Sequence, residues 1–435
     1  ETSPTVRPGY RLPAMGAASP TCTRDPIQQP LSERNSPMTQ PHNGIQCPGF
    51  TAAGLAAGLK KNDKKDLGLI FSEAAASVAG MFTTNRVKAA PVRLDMERVA
   101  GGKAQAVIVN SGNANCCVGE SGLSAAMAMC RAAAAGLGIA ENLVLAASTG
   151  VIGEPLPVEK IVAAAPRLVQ ALSAEGFADL AEAIMTTDNV PKTVSRRAAI
   201  NGKTVTVVGV AKGAGMIRPD MATLLCFVCT DADGQPAVLR RCLTRACDKS
   251  FNCITVDGDT STNDTLLLLA NGLSGASLTE ADAQATFQEM LDDILTALAQ
   301  MLVRDAEGAT KLVEIVVKGA ASDADARRVA DTVANSNLVK TALFGEDANW
   351  GRILAAAGRS GAELAPERID VFFDAVRICQ NGQGCGKAVE AEATRVLKTA
   401  EFTITLDLKL GSGRAAVWTC DFSLDYVKIN ADYRS

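Results

Sequence analysis

The sequence predicts a mixed α/β fold of stacked helix and sheet layers, with a second, smaller α/β domain in its C-terminal part. Three observations carry this. At 435 residues the chain exceeds what one ordinary core organises and suffices for two domains. Hydrophobic residues make up 47% and charged residues 21%, the balance of a globular chain that can bury a sizeable core. Apolar runs of strand length alternate with longer segments of helical period through most of the chain.

Residues 1–46 hold eight of the seventeen prolines, with Ser, Thr and Gln between them, and are expected to form a disordered leader because so little apolar surface cannot offset chain entropy. Four arginines against three acids leave transit peptide, vector-derived segment and untranslated leader open, with Met38 a candidate start. Residues 67–72 and 78–82 read as a strand pair. Residues 106–110 (AVIVN) form a short buried strand that ends in the loop SGNANCCVGESG. An alanine-rich helix over 123–135 and a strand over 143–147 follow, the latter ending at Ser148-Thr149-Gly150; helices cover 158–172 and 177–185.

Residues 203–210 (KTVTVVGV) alternate as a half-exposed strand does. The stretch 212–230, KGAGMIRPDMATLLCFVCT, passes from a glycine-broken loop straight into an apolar run short enough to be one buried strand, and Thr223 stands at its head. Beyond it come a helix over 237–250, an acidic, hydroxyl-rich loop within 251–265 and a long helix over 279–302. A strand over 311–318 and helices over 323–334 and 352–357 follow. Three strands close the chain at 369–378, 402–410 and 415–429, the last with a turn inside it. The SGN, STG and KGAG segments place three glycine-bearing turns at element ends, where they could converge on one site.

Composition removes several classes of function. With 43 basic and 47 acidic side chains, the net charge of -4 gives no electrostatic reason to expect nucleic acid or a membrane surface. No apolar run approaches the roughly 20 residues that cross a bilayer, so a soluble, cytoplasmic protein is expected, or one of an organelle matrix if the leader is a transit peptide. Thirteen cysteines are an odd, scattered set and read as reduced thiols rather than a disulfide framework. Cys226 and Cys229 form a lone CxxC and read as buried strand cysteines, not a zinc site. Asp257, Asp259 and Asp264 lack calcium-loop spacing. No metal is expected.

The sole histidine, His42, lies in the leader. That excludes Ser-His-Asp and Cys-His catalysis from the folded part, so a hydroxyl nucleophile needs another base. A terminal α-amine, with a reference pKa of about 7.7–8.0, keeps a useful neutral fraction near pH 7. Thr223 fits that chemistry if the bond before it is cut, and otherwise is a β-branched strand residue. Lys212 is either a solvated loop lysine or a point charge for a substrate carboxylate. Glu307 is a helix-end carboxylate or a partner for a cation, and Thr186, Thr187 and Asp188 can be turn punctuation.

The strings GFTAAGLAAGLKK, FTTNRVKAAPV, NSGNAN, STGVIG, MTTDNVPK, KGAGMIRPDMATLL, TVDGDTSTND, EGATK, FGEDANWGRI and INADYRS occur in that order. Together they make the chain, from about residue 47 to its end, resemble the ornithine acetyltransferase family, also called glutamate N-acetyltransferase or arginine biosynthesis bifunctional protein. The resemblance implies a layered αββα sandwich of the self-cleaving N-terminal-nucleophile type. It implies self-cleavage between Ala222 and Thr223, giving an α chain (47–222) and a β chain (223–435) that completes the catalytic domain, carries the C-terminal α/β domain and joins an α2β2 heterotetramer. Thr223 is then the nucleophile and Thr149 with Gly150 the oxyanion hole, while Thr186, Lys212, Thr223, Glu307, Asn430 and Ser435 contact substrate. The implied reaction moves acetyl from N-acetylornithine to glutamate by ping-pong chemistry without cofactor, acetyl-CoA standing as an alternative donor.

Three positions depart from the family's pattern: Asp220 stands in place of Asn, Ala306 in place of Gly, and Cys116-Cys117 in place of a smaller pair. Asp220 lies three residues from the cut and bears on the rate of maturation. Two rivals remain open, a related self-cleaving aminopeptidase or amidase in which water resolves the acyl-threonine, and an uncleaved relative kept as a binding protein.

Overall fold

The computed structural model of the protein describes residues 44–61, 63–218 and 224–432. Most of the expected leader, with His42, therefore lies outside the described residues, as do Asp220, Ala222, Thr223 and Ser435. Ile45, assigned from composition to the leader, is buried in the core, so order reaches back at least to it.

In chain order the elements are β1 (Phe50–Leu55), β2 (Leu67–Phe82), α1 (Ala90–Val99), β3 (Lys103–Asn113), α2 (Glu120–Leu137), β4 (Val144–Val151), α3 (Val158–Gln170), α4 (Phe177–Ile184), β5 (Lys192–Ile200), β6 (Lys203–Lys212), β7 (Leu225–Thr230), α5 (Pro236–Lys249), β8 (Thr265–Ala270) and α6 (Ala281–Arg304). The C-terminal part adds β9 (Leu312–Ala320), α7 (Asp323–Ala334), α8 (Asn337–Phe344), α9 (Trp350–Gly358), β10 (Asp370–Phe373), β11 (Val376–Gln380), β12 (Gln383–Gly384), α10 (Lys387–Leu397), β13 (Glu401–Asp407), β14 (Gly413–Cys420) and α11 (Leu424–Asp432).

The first sheet runs β4-β3-β2-β8-β7-β6-β5, with β1 also on β2. Side-chain alternation along its strands builds the layers. Val107 and Val109 of β3 share one core with Val208 and Val210 of β6, Leu225 and Phe227 of β7, and Leu267 and Leu269 of β8, so the two halves of the sheet face each other. The alternate residues look outward. Ala106 and Ile108 meet Met129 of α2 and Ile161 of α3, whereas Cys226, Val228, Leu266 and Leu268 meet Leu239 of α5 and Phe287 and Leu291 of α6. The order is helix, sheet, sheet, helix: the αββα sandwich that the resemblance implied.

Where the sequence predicts a strand pair over 67–82, the structure has one 16-residue strand. Glu73-Ala-Ala-Ala contains no turn former, and the chain passes through an irregularity between Phe71 and Ala76 instead of turning back. The first part of β2 pairs with β1 and β3, and its last six residues pair with β8, so this strand bridges the two halves. β8, which has no counterpart among the predicted elements, pairs in parallel with β7. Both are buried throughout and carry no polar alternation to mark them.

The second sheet runs β12-β11-β10-β13-β9-β14 and has its own core, in which Val313, Ile315 and Val317 pack on Val329 and Val333 of α7. Residues 369–378 are a hairpin, not one strand, because the chain turns at Asp374, whose φ is +48°. The second half of the strand predicted over 415–429 is the helix α11. Ser423 Oγ accepts from the backbone N–H of Asp425 at 3.2 Å and of Tyr426 at 3.3 Å, a cap that starts a helix. Helices α8 and α10 were not predicted. Cys226 and Cys229 are free, buried and on opposite faces of β7, so they cannot share a ligand. Among the described residues no helix is long and apolar enough to cross a membrane.

Candidate functional site

The three glycine-bearing segments do converge. Ser148-Thr149-Gly150 is the end of β4 itself rather than a turn beyond it, and it pairs with the SGN end of β3, Ser111 opposite Thr149 and Gly112 opposite Gly150. Gly150 has φ +132°, and a Cβ there would strike the backbone of Gly112 and Asn113, so only glycine fits. The KGAG loop leaves β6 alongside. Thr149, Gly150, Thr186, Lys212, Glu307 and Asn430, all predicted contacts, line one cavity of about 170 Å³. That is small beside the roughly 300–1,000 Å³ that drug-sized ligands occupy, and suits a molecule of amino-acid size.

The lining carries a buried cation. Lys212, the last residue of β6, is 3% exposed, and its Nζ donates to Thr186 Oγ1 at 2.8 Å and to Thr149 Oγ1 at 3.3 Å. Burial lowers the pKa of this ammonium, and the Asp188 carboxylate, 3.9 Å away, opposes that. Asp188 also accepts from Lys192 Nζ at 2.9 Å, from the Gly213 N–H at 2.7 Å and from the Thr186 N–H at 3.0 Å. Burial alone would raise its pKa, but Lys212 and Lys192 hold it well below the usual carboxylate range. Lys192 in turn reaches Asp305 at 2.6 Å. Asp188 is thus more than turn punctuation: it joins the Thr186 turn to the KGAG loop.

The lining also carries a carboxylate. Glu307 accepts from Asn430 Nδ2 at 2.8 Å, and its backbone N–H donates to the Ala214 carbonyl at 2.9 Å. A Cβ on Gly215 would stand 2.5 Å from Glu307 Oε2, so the glycine makes room for the carboxylate. Asp257 shapes the loop: it accepts from the N–H groups of Met216 at 2.6 Å and Ile217 at 2.9 Å, and from the Tyr426 hydroxyl at 3.2 Å. Met216 is held at φ +56°. Burial raises the Asp257 carboxyl against these N–H donors, and burial followed by the neighbouring Asp257 raises the Tyr426 phenol.

Sequence reasoning missed Tyr426 and gave Asp257 no role beyond an unlikely-spaced acidic loop. The missing signal for Tyr426 was the helix: with 415–429 taken as a strand, no face of it pointed at the cavity. Asn263 was also missed, although it donates to the carbonyls of Ala114 and Ser148, both at 2.7 Å, and so ties the TSTND loop to the STG strand. Asp264 accepts from the Leu224 N–H at 3.0 Å, and burial pushes its carboxyl well up. Among the described residues no group of three or more His, Cys, Asp or Glu could hold a metal ion.

A sequence model described as the ArgJ family matches residues 51–435. An arginine biosynthesis bifunctional protein ArgJ from Geobacter sulfurreducens is 53% identical over 389 residues, which cover 89% of this chain and 99% of that one. The protein of the same description from Syntrophotalea carbinolica is 53% identical over 393 residues, covering 90% and 100%. A solved ornithine acetyltransferase complexed with ornithine, from Mycobacterium tuberculosis, is 38% identical, covers 43% of this chain and 98% of its own, and superposes with a TM-score of 0.37.

Proposed function

The chain belongs to the ArgJ family, and from that premise we propose that it moves an acetyl group from N-acetylornithine to glutamate through an ester on Thr223. It is an enzyme of arginine biosynthesis by that membership. The single observation that carries the finer reading is the buried Lys212 ammonium, which donates to the hydroxyls of both Thr149 and Thr186. Because each hydroxyl oxygen accepts from Lys212, its own hydrogen is left to donate into the cavity. Positive charge and aimed donors are what a developing oxyanion needs.

In this account the chain cuts itself between Ala222 and Thr223, and the two products stay together as α and β chains of an α2β2 heterotetramer. The freed α-amine of Thr223 takes the proton from its own hydroxyl. The threonine oxygen attacks the acetamide carbonyl, and the negative charge is met by the Thr149 hydroxyl and the Gly150 backbone. Ornithine leaves as the amine after protonation by the α-ammonium. Glutamate's amine then attacks the ester and carries the acetyl group away. One amide replaces another, so neither ATP nor a cofactor is required.

The cavity's two signs of charge support amino-acid substrates. Lys212 suits an α-carboxylate, and Glu307, held by Asn430, suits the ornithine ammonium. Ser435 is assigned to the same site on the resemblance alone. Acetylornithine turnover with and without glutamate tests the reading: release of ornithine beyond the first turnover of each enzyme molecule should depend on glutamate. Hydrolysis at the same rate without glutamate would make the enzyme an amidase.

A further inference from the structure

We propose that Cys116 and Cys117 form a chelating dithiol for a trivalent arsenical, and that occupation of this site inhibits the enzyme. The inhibition rests on the acetyl-transfer reading for its assay; the site does not. Its two thiols belong to the NANCC loop, where the chain departs from the family's pattern, and their Sγ atoms lie 3.6 Å apart. Cys117 lines a hollow of about 480 Å³ beside α1, and among the described cysteines it is the one classed as exposed.

The separation of the sulfurs is the first argument. Sulfur bonds of about 2.3 Å to one tetrahedral centre place two sulfurs about 3.8 Å apart, so a single soft atom can bridge this pair with little movement. A disulfide needs about 2.05 Å, which would draw the sulfurs together by about 1.5 Å. Two thiols alone do not complete a structural site for a divalent metal, and among the described residues no group of three or more His, Cys, Asp or Glu could hold one. An organic trivalent arsenical brings its own third substituent and needs two sulfurs only.

A second argument comes from the loop. Successive side chains of an extended strand point to opposite faces. Here Asn115 and Cys117 stand at φ +48° and +60°, and the turn they make brings the sulfurs of two consecutive residues together. The turn is pinned. The Asn115 N–H donates to Asn113 Oδ1 at 2.7 Å, Asn115 Nδ2 donates to the Gly122 carbonyl at 2.9 Å, and the Asn115 carbonyl accepts from the Ala90 N–H at 3.1 Å. Little chain entropy is left to oppose the second arsenic–sulfur bond once the first has formed, so that bond gains the advantage of an intramolecular step.

Position links the dithiol to catalysis. Cys116 is buried and packs with Ile152, its carbonyl accepts from the Gly153 N–H at 3.0 Å, and the nearby Ala114 carbonyl accepts from Asn263 Nδ2 at 2.7 Å. Ile152 and Asn263 line the catalytic pocket. Because interiors are close-packed, a shift of the bridged Cys116 passes to that wall. The step balances: two arsenic–sulfur bonds form, the bonds from arsenic to its oxide oxygen break, and both thiol protons leave with that oxygen as one water molecule. Arsenic stays trivalent, and nothing is oxidised or reduced.

The test adds phenylarsine oxide to the reduced full chain and to its Cys116→Ala and Cys117→Ser variants. Peptide mass spectrometry should find Cys116 and Cys117 of the unaltered chain protected from iodoacetamide. The dithiol dimercaptopropanol should reverse this, and excess glutathione, a monothiol, should not. Each variant should need at least about 10²-fold more arsenical for equal occupancy. At a dose that saturates the unaltered chain, its turnover of N-acetylornithine with glutamate should fall at least about tenfold, and that of either variant less than about twofold, each against its own untreated rate. Absence of protection, equal affinity in all three proteins, or reversal by glutathione overturns the proposal, and occupation that leaves turnover unchanged overturns the inhibition. If the variants misfold, protection and the contrast between dithiol and monothiol in the unaltered chain decide. Failure of the untreated chain to turn over N-acetylornithine would instead refute the acetyl-transfer reading, and protection and its reversal would still decide the site.

Discussion

Lys212 Nζ donates to Thr149 Oγ1 across 3.3 Å, a buried ammonium set on the hydroxyl that flanks the left-handed Gly150. If that bond aims the hydroxyl, then Thr149→Val and Lys212→Met should each lower kcat by about 10² to 10³. The double variant should lose far less than the product of the two, because both substitutions remove one arrangement. Steady-state kinetics on the four proteins of the cycle measure this, and fully multiplicative losses would mean the two residues act separately.

Asp188 sits between Lys192 and Lys212, and its folded pKa lies below the unfolded value of about 3.9. Its ion pairs therefore contribute fully above that value and are lost as pH falls through the depressed folded pKa. Asp188→Asn, which leaves the buried Lys212 ammonium without its carboxylate while Lys192 keeps Asp305, should cost about 3–5 kcal/mol at neutral pH. Below pH 4 the difference from the unaltered protein should shrink. Urea melts across pH 3–7 would show it.

Two glycines can be separated by what an added methyl group meets. At Gly150 it meets backbone at a positive φ, so Gly150→Ala should destabilise by at least about 1–3 kcal/mol and abolish activity. At Gly215 the atoms it meets first are those of the Glu307 carboxylate, so Gly215→Ala should displace that side chain, raise the KM for N-acetylornithine and leave thermal stability nearly unchanged. Equal loss of stability in both would refute the distinction.

Asn430 donates to Glu307 from α11. Asn430→Ala should raise the KM for N-acetylornithine by about tenfold, as loss of a hydrogen bond to a charged group does, with a smaller change in kcat. An unchanged KM would remove α11 from the substrate site.

Much of the cavity was legible in the sequence because its parts are strand ends and glycine turns, where residue type and backbone geometry constrain each other. Gly150 must be glycine, and Lys212 ends a strand that delivers it into the cavity, although β6 is buried from Val205 onward and not half-exposed as its alternation suggests. What sequence patterns could not show was pairing across distance. Asp305 answers Lys192, and Asp257 cradles the N–H groups of Met216 and Ile217, contacts that no local period encodes. Apolar runs misled in both directions. The buried β8 has no alternation to announce it, and α11 leaves Leu424 and Val427 exposed, so its pattern imitates a strand.

The central claim is that Thr223, freed by self-cleavage, carries the acetyl group. Intact-mass spectrometry of an active preparation, quenched after mixing with N-acetylornithine in the absence of glutamate, tests it most directly. The account predicts two chains, divided between Ala222 and Thr223, with one added acetyl group on the chain that begins at Thr223. A fully active protein whose Ala222–Thr223 bond is unbroken would contradict it.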